Sequence, residues 1–336
     1  MFKKKPRFIV IALMIMLAVI TTGCGSSGSA DSSNAAAENE KTPAEQPAAA
    51  NTESSTLQLR TYKTDKGDVE IPVKPQRIVT DYYGGELLSV GANVVGVEPT
   101  AFDNPFIKDL LKDAKDVGTA VDPEKALALK PDLIVVMYDT NYDALSKIAP
   151  TILIPYGTAS NIYETVRMFG DIAGTKDKAE EFLVNFDKKA LEGREKLKGI
   201  VDGDATFDLN ELTDKGELWI FGDNAGRGGQ AVYNALKLKM PEKLKTTNQT
   251  TQISLELLSD YSADYMFLTT YDPEKKGDRL KQLKDSPIWK NVKTVKNNKV
   301  FFNDFDTYYR YDPIAVTAQI DLFVDMLLKR HEENQK

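Results

Sequence analysis

From Lys176 to about Leu197 the chain is rich in Lys, Glu, Ala and Leu and meets no glycine or proline until Gly193. Every position there favours helix, so the segment is predicted as one long helix. Placed in the middle of a 336-residue chain, such a helix divides the rest into two stretches, each long enough for a domain of ordinary size. Both stretches alternate strand and helix signals. In the first, strands are expected at Arg77–Thr80, Asn93–Val97, Asp132–Met137 and Thr151–Pro155, with helices at Gly85–Val90, Pro123–Leu129 and Tyr142–Ile148. The run Asp132–Met137 is continuously apolar, as in a strand buried on both faces. The second stretch repeats the pattern, with strands near Thr206–Leu209, Leu218–Phe221, Tyr265–Thr269 and Val300–Phe302 and a closing helix from Ile314 to Lys329. The expected architecture is α/β: two Rossmann-like lobes of largely parallel sheet, 58–173 and 200–336, bridged by a single long helix at 174–199.

A quasi-repeat supports the two-lobe reading. Glu124 and Asp132 in the first lobe have the same spacing as Glu256 and Asp264 in the second. Each glutamate opens a short helix and each aspartate opens a buried strand. A glutamate in a first turn is favoured by the helix dipole, which is a sufficient structural reason for both. The matching spacing also puts the two carboxylates at equivalent places on the outer surface.

The N-terminus carries Lys3, Lys4, Lys5 and Arg7, an apolar run from Phe8 to Ile20, and then Thr21-Thr22-Gly23-Cys24. This is a signal-peptide pattern over residues 1–23, too short for a typical membrane span. Gly23-Cys24 resembles a lipobox, although Thr21 stands where leucine is usual. Cys24, the only cysteine, is the expected lipidation site and excludes a disulfide within the chain. Residues 24–57, mostly Ser, Ala, Asn, Glu, Gln, Thr and Pro, read as a flexible tether. The chain carries a net charge of −7, and the basic leader contains no acid, so the remainder is more acidic still. That argues against nucleic acid as a partner. Membrane contact is expected through the lipid anchor alone.

Catalytic chemistry is poorly provided for. The one histidine, His331, lies in a charged tail expected to fray. A serine or cysteine nucleophile with a histidine base is therefore excluded in practice, as are His-rich Zn²⁺ or Mn²⁺ sites. Neither a Walker loop nor a Rossmann fingerprint is present. No resident metal or cofactor is expected. The distinctive stretch is instead Trp219-Ile-Phe-Gly-Asp-Asn-Ala-Gly-Arg227-Gly-Gly-Gln-Ala-Val-Tyr, read as a buried strand, a glycine-rich loop and a helix. Its glycines are expected to let a ligand approach, and Arg227 to reach outward from an exposed loop with its fork of donors. Such a loop at the carboxyl end of a strand is where open α/β sheets bind ligands. Tyr83, Tyr138 and Tyr156, together with Trp219 and the run Tyr308-Tyr309-Arg310-Tyr311, also fall near strand ends. Each alone can roof a core. Together they favour a polarisable cleft between the lobes with one or two cationic donors.

Gly222 to Leu236, with Phe302-Asn-Asp-Phe-Asp-Thr-Tyr-Tyr-Arg-Tyr-Asp-Pro313, resembles the ferric hydroxamate-binding lipoproteins of Gram-positive bacteria. These are substrate-binding proteins of ABC importers, with two lobes on a helical backbone. The resemblance runs from about Leu59 to Lys329. It implies that Arg227 hydrogen-bonds the iron-bound hydroxamate oxygens and that Tyr156 does so from the opposite wall. It also implies that Trp219 and Tyr309 line the cleft; Tyr308, Arg310, Tyr138 and Tyr83 are expected to join them in binding the ligand from their places near strand ends. Glu124 and Glu256 would dock onto arginines of the permease, which works with its ATPase. The protein would be a monomer held at the outer face of the cell membrane. Two positions depart from the pattern: Ala225 stands where some relatives have tryptophan, and Arg310 adds positive charge. A ferric tris-hydroxamate arrives with its iron coordination filled, so the protein needs no metal ligand of its own. Within this class the alternative is a ferric catecholate, whose charge of about −3 calls for a larger basic cluster. Outside it, a lipid-anchored hydrolase and an adhesion or scaffold lipoprotein remain open. Haem and cobalamin fit less well.

Overall fold

The computed structural model describes residues 58–245 and 249–336, so the signal peptide, Cys24 and the tether lie outside the described residues. A hairpin, β1 (Leu59–Thr64) with β2 (Gly67–Pro72), leads in. The first lobe holds β3 (Ile78–Thr80), β4 (Val94–Val97), β5 (Lys115–Asp116), β6 (Leu133–Val136) and β7 (Thr151–Leu153). They form an all-parallel sheet in the order β5-β4-β3-β6-β7. The second lobe holds β8 (Phe207–Leu212), β9 (Leu218–Phe221), β10 (Thr250–Ile253), β11 (Tyr265–Thr270) and β12 (Val300–Asp304), in the order β10-β9-β8-β11-β12.

The second lobe departs from the expected repeat. Only β8, β11 and β12 run parallel to one another, whereas β9 is antiparallel to both β8 and β10. The cause is a short connection. Five residues join β8 to β9, with Gly216 at φ 81° and the Thr213 N–H bonded to the Glu217 carbonyl at 3.0 Å. That is hairpin length, and a parallel crossover needs a dozen residues or more.

The bridging helix spans Lys176–Leu197. Ala179, Leu183, Phe186, Ala190, Gly193 and Leu197 are its buried stripe, at helical spacing, and Arg194 and Lys196 complement the dipole in its last turn. Gly193 is needed for close approach: a Cβ there would lie 2.8 Å from Leu236 and 3.2 Å from both Ile320 and Val324. Those last two residues belong to the C-terminal helix, Pro313–Asn334, which packs along the bridging helix and also against first-lobe helices Gly84–Ser89 and Ile162–Ile172. It runs further than expected, so His331 sits in a helical turn near Gln335 instead of a frayed tail. The connection between lobes is thus two helices laid side by side.

The quasi-repeat is structural. Asp132 accepts hydrogen bonds from the backbone N–H groups of Gln76 (2.7 Å) and Arg77 (2.8 Å), tying the start of β6 to that of β3. Asp264 does the same for β11 and β8 through the Thr206 N–H at 3.0 Å.

Strand β8 is buried along its whole length although it reads Phe-Asp-Leu-Asn-Glu-Leu. Burial pushes the Asp208 carboxyl up to about 7, against hydrogen bonds from the Ala263 N–H and the Asn210 amide. Burial also raises Asp81, Glu86 and Asp312 above their usual ranges. From about pH 4 to pH 7 the folded chain therefore holds a proton on Asp208 that the unfolded chain has released. Stability is expected to be greatest below this window and to fall as pH rises through it, by up to about 1.4 kcal/mol per pH unit for this one group. Chemical denaturation at pH 5 and pH 8 tests this. The wild type should be weaker at pH 8 and Asp208→Asn should lose part of the difference, whereas an unchanged slope in the variant would contradict the assignment.

Candidate functional site

All five first-lobe strands point their carboxyl ends to one edge, and Tyr82, Tyr138 and Tyr156 leave β3, β6 and β7 there. Asp81 sets the geometry of this edge. Its carboxylate accepts hydrogen bonds from the backbone N–H groups of Tyr82 (2.5 Å), Met137 (2.8 Å) and Tyr138 (3.2 Å). From the second lobe, the chain leaving β12 makes a helical turn, Phe305–Tyr308, capped by Asp304, and then presents Tyr309, Arg310 and Tyr311. Gln319 of the C-terminal helix, fully buried, holds this loop from beneath by donating to the carbonyls of Thr307 and Arg310, both at 2.9 Å.

The two edges meet. The hydroxyls of Tyr82 and Tyr309 are 2.9 Å apart, and Tyr311 lies against Tyr82 (5.8 Å between centroids) and edge-on to Tyr156 (5.9 Å). Arg310 donates to the Thr100 carbonyl at 3.2 Å, and Asn104 donates to Asp312 at 3.0 Å. Two cavities flank this aromatic bridge. One, of about 300 Å³, is bounded by Tyr83, Met137, Tyr156, Met168, Asn224 and Tyr311. The other, of about 970 Å³, is bounded by Thr100, Tyr271, Pro273, Phe305, Tyr309 and Arg310.

Arg227 corrects its expected setting. Because β9 is antiparallel, the chain leaves it towards the amino end of β8, and the glycine-rich loop brings Arg227 back to Glu211. The guanidinium lies 4.5 Å from the Phe221 ring, 4.9 Å from Tyr309 and 5.3 Å from Phe305. Through Nε and Nη2 it holds the carboxylate of Glu211, and the two side chains are only 13% and 8% exposed. Nη1 has no hydrogen-bond partner among the described residues. The backbone at Arg227 is left-handed, φ 69°, and its N–H is bonded to the Tyr308 carbonyl at 2.7 Å. The arginine is therefore a caged, paired group lining neither cavity. The glycines serve packing: a Cβ on Gly228, at φ 94°, would lie 2.3 Å from the ring of Phe323.

The other expected residues separate. Tyr156, 61% exposed, and Tyr309 face the cleft from opposite lobes, and Arg310 spans it. Tyr138 is exposed beside Asp81. Tyr308 does not reach the cleft: its ring is buried in the core 5.2 Å from Phe323. Tyr83 gives its ring to the smaller cavity, but its hydroxyl is used by the Ile154 carbonyl at 2.6 Å. Trp219 lines neither cavity; it lies half-buried on the sheet, paired across the ladder with Glu211. Glu124 and Glu256 are both exposed and line neither cavity. Sequence reasoning missed Glu211, although a carboxylate inside an otherwise buried strand signals a buried partner. Phe221, Phe305 and Gln319 carried no separate signal.

The family model described as periplasmic binding protein matches residues 86–307. Among curated proteins, the iron(3+)-hydroxamate-binding protein YxeB of Bacillus subtilis (strain 168) is 50% identical over 336 residues, covering 99% of this chain and 100% of the relative. The iron(3+)-hydroxamate-binding protein FhuD of the same organism is 36% identical, covering 80% of this chain and 86% of its own. Among solved structures, FhuD2 from Staphylococcus aureus with bound ferrioxamine B superposes with a TM-score of 0.68 at 30% identity, covering 76% of this chain and all of the other.

Proposed function

The chain belongs to the periplasmic binding protein family, and from that premise we propose that it captures ferric hydroxamate siderophores between its lobes and hands them to an ABC permease. The observation that carries this reading is the full-length, 50% likeness to an iron(3+)-hydroxamate-binding protein. The geometry supports it. Aromatic side chains from both lobes converge on the cleft, where Tyr156 and Tyr309 offer ring faces to the aliphatic arms of a chelate and hydroxyls to its oxygens. Arg227 lines neither cavity directly, but it lies against the ring of Tyr309 at the cleft margin and keeps Nη1 for the iron-bound oxygens, which carry partial negative charge and accept charge-assisted bonds. The ferric ion is cargo, coordinated by the siderophore. In this reading the protein is a carrier, tethered through an acylated Cys24 to the outer face of the cell membrane, and Glu124 and Glu256 meet the permease.

Intrinsic tyrosine and tryptophan fluorescence tests the cargo. Titrating the purified body from residue 57 with ferrioxamine or ferrichrome should quench emission with about micromolar or tighter affinity. Ferric ion in a weak chelator should not compete. Binding of bare iron with no response to any hydroxamate chelate would overturn the proposal, and preference for a tris-catecholate would replace the ligand class.

A further inference from the structure

We propose that Glu211 is the charge-setting residue of the binding wall: by holding Arg227 it cancels the guanidinium's charge, and so tunes the site to ferric chelates without net negative charge. This rests on the receptor reading and names the property that separates accepted from rejected cargo.

Three observations converge. First, the ion pair is built in. Glu211 lies on a central strand, on the sheet face that carries Phe207 and Leu209, and Arg227 is fixed by its backbone bond to Tyr308 and by three surrounding rings. Neither partner can swing into bulk water without breaking that packing. Second, the pairing is one-sided. Nε and Nη2 go to Glu211, and Nη1 is left over. The arginine is thus a directional donor with little residual charge, suited to the polarised oxygens of a neutral chelate. Third, no surplus of positive charge replaces what Glu211 cancels. The large cavity beside Tyr309 carries four aspartates against two lysines and Arg310. An anionic chelate entering there meets an acidic rim, and the guanidinium packed behind Tyr309 is already neutralised by Glu211. In this partly desolvated setting, charge interactions are much stronger than in water.

The test is the ratio of affinities for two ferric chelates of similar size, a neutral tris-hydroxamate and an anionic tris-catecholate, read by fluorescence quenching at low and high salt. Glu211→Gln keeps the shape and an acceptor but removes the charge. It should shift the ratio towards the anionic chelate by about tenfold or more, with the shift shrinking in high salt. Glu211→Asp should hold the wild-type ratio. Arg227→Met, which leaves the carboxylate unopposed, should move the ratio the other way. The double variant Glu211→Gln with Arg227→Met should restore it at lower overall affinity. A Glu211→Gln protein that loses both chelates equally, or a double variant with no restored ratio, would overturn the proposal and leave Glu211 a packing partner. If Glu211→Gln does not fold, Arg227→Met and the double variant decide alone. A wild type that binds no hydroxamate chelate defeats the receptor reading instead, and the quenching titration shows that before any variant is made.

Discussion

Replacing Arg227 with alanine is expected to cost affinity and stability together. Lost hydrogen bonds to the chelate should weaken binding roughly 10- to 100-fold, the equivalent of one or two charge-assisted bonds. An exposed loop arginine would cost nothing more. Here the guanidinium is the buried partner of Glu211, and its removal strands a carboxylate that is 8% exposed. Breaking such a pair typically costs about 3 kcal/mol or more, because the remaining charge has neither water nor partner. The guanidinium also fills the space between Phe221, Phe305 and Tyr309, so packing against three rings is lost with it. Backbone strain does not confuse the comparison, since alanine at φ 69° carries the same left-handed penalty as arginine. Arg227→Lys separates the two effects. It restores a cation for Glu211 but not the planar fork, so it should recover stability more than affinity. Denaturant unfolding and chelate titration on the same preparations supply both readouts. Unchanged affinity in the alanine variant would leave the arginine a purely structural ion-pair partner.

The second large effect concerns delivery. Glu124→Ala combined with Glu256→Ala should leave chelate affinity within about twofold of wild type while cellular uptake falls about tenfold or more, as expected when orienting salt bridges to a partner are lost. The fold supplies the reason to expect clean separation. Glu124 is not the cap of its helix: Asp122 is, accepting from the N–H groups of Glu124 and Lys125 at 2.8 and 2.9 Å. Glu256 opens the short turn Leu255–Leu257 and is equally exposed, its carboxyl drawn below the usual range by its own backbone N–H and by Ser254. Neither carboxylate therefore carries much of the fold. Lysine at both positions should be worse than alanine, because repulsion is added to lost attraction. Iron uptake at equal surface expression is the measurement, and wild-type uptake by the double variant would reduce the pair to helix-start residues.

What the sequence reveals and what it conceals follow a physical rule. The bridging helix is legible because nothing in it opposes helix, and the first-lobe sheet because doubly buried parallel strands are bare apolar runs. Leu218–Phe221 is also an apolar run, but apolarity carries no direction. Its antiparallel sense was written in the connection, Thr213-Asp-Lys-Gly216-Glu, which is too short for anything but a hairpin. The leading β1–β2 hairpin hides behind polar alternation for the same reason. At the site, residue types were legible and partners were not. Arg227 and the tyrosines announce themselves by chemistry and position. That Arg227 faces Glu211 sixteen residues earlier, or that Tyr308 turns inward while Tyr309 turns outward, depends on contacts that no local pattern encodes.

The return of the C-terminal helix to the first lobe has a kinetic consequence. Ile71, close to the start of the described chain, and Leu327, close to its end, belong to one contiguous core with the bridging helix between them. Each lobe also has a smaller core of its own, but the apolar surface that both share with the last helix stays open until that helix has been made and has docked. Closing the shared core therefore involves the whole body. Its decisive contacts join the two ends of the chain, which places it among proteins whose folding is slowed by the entropy of closing very long loops.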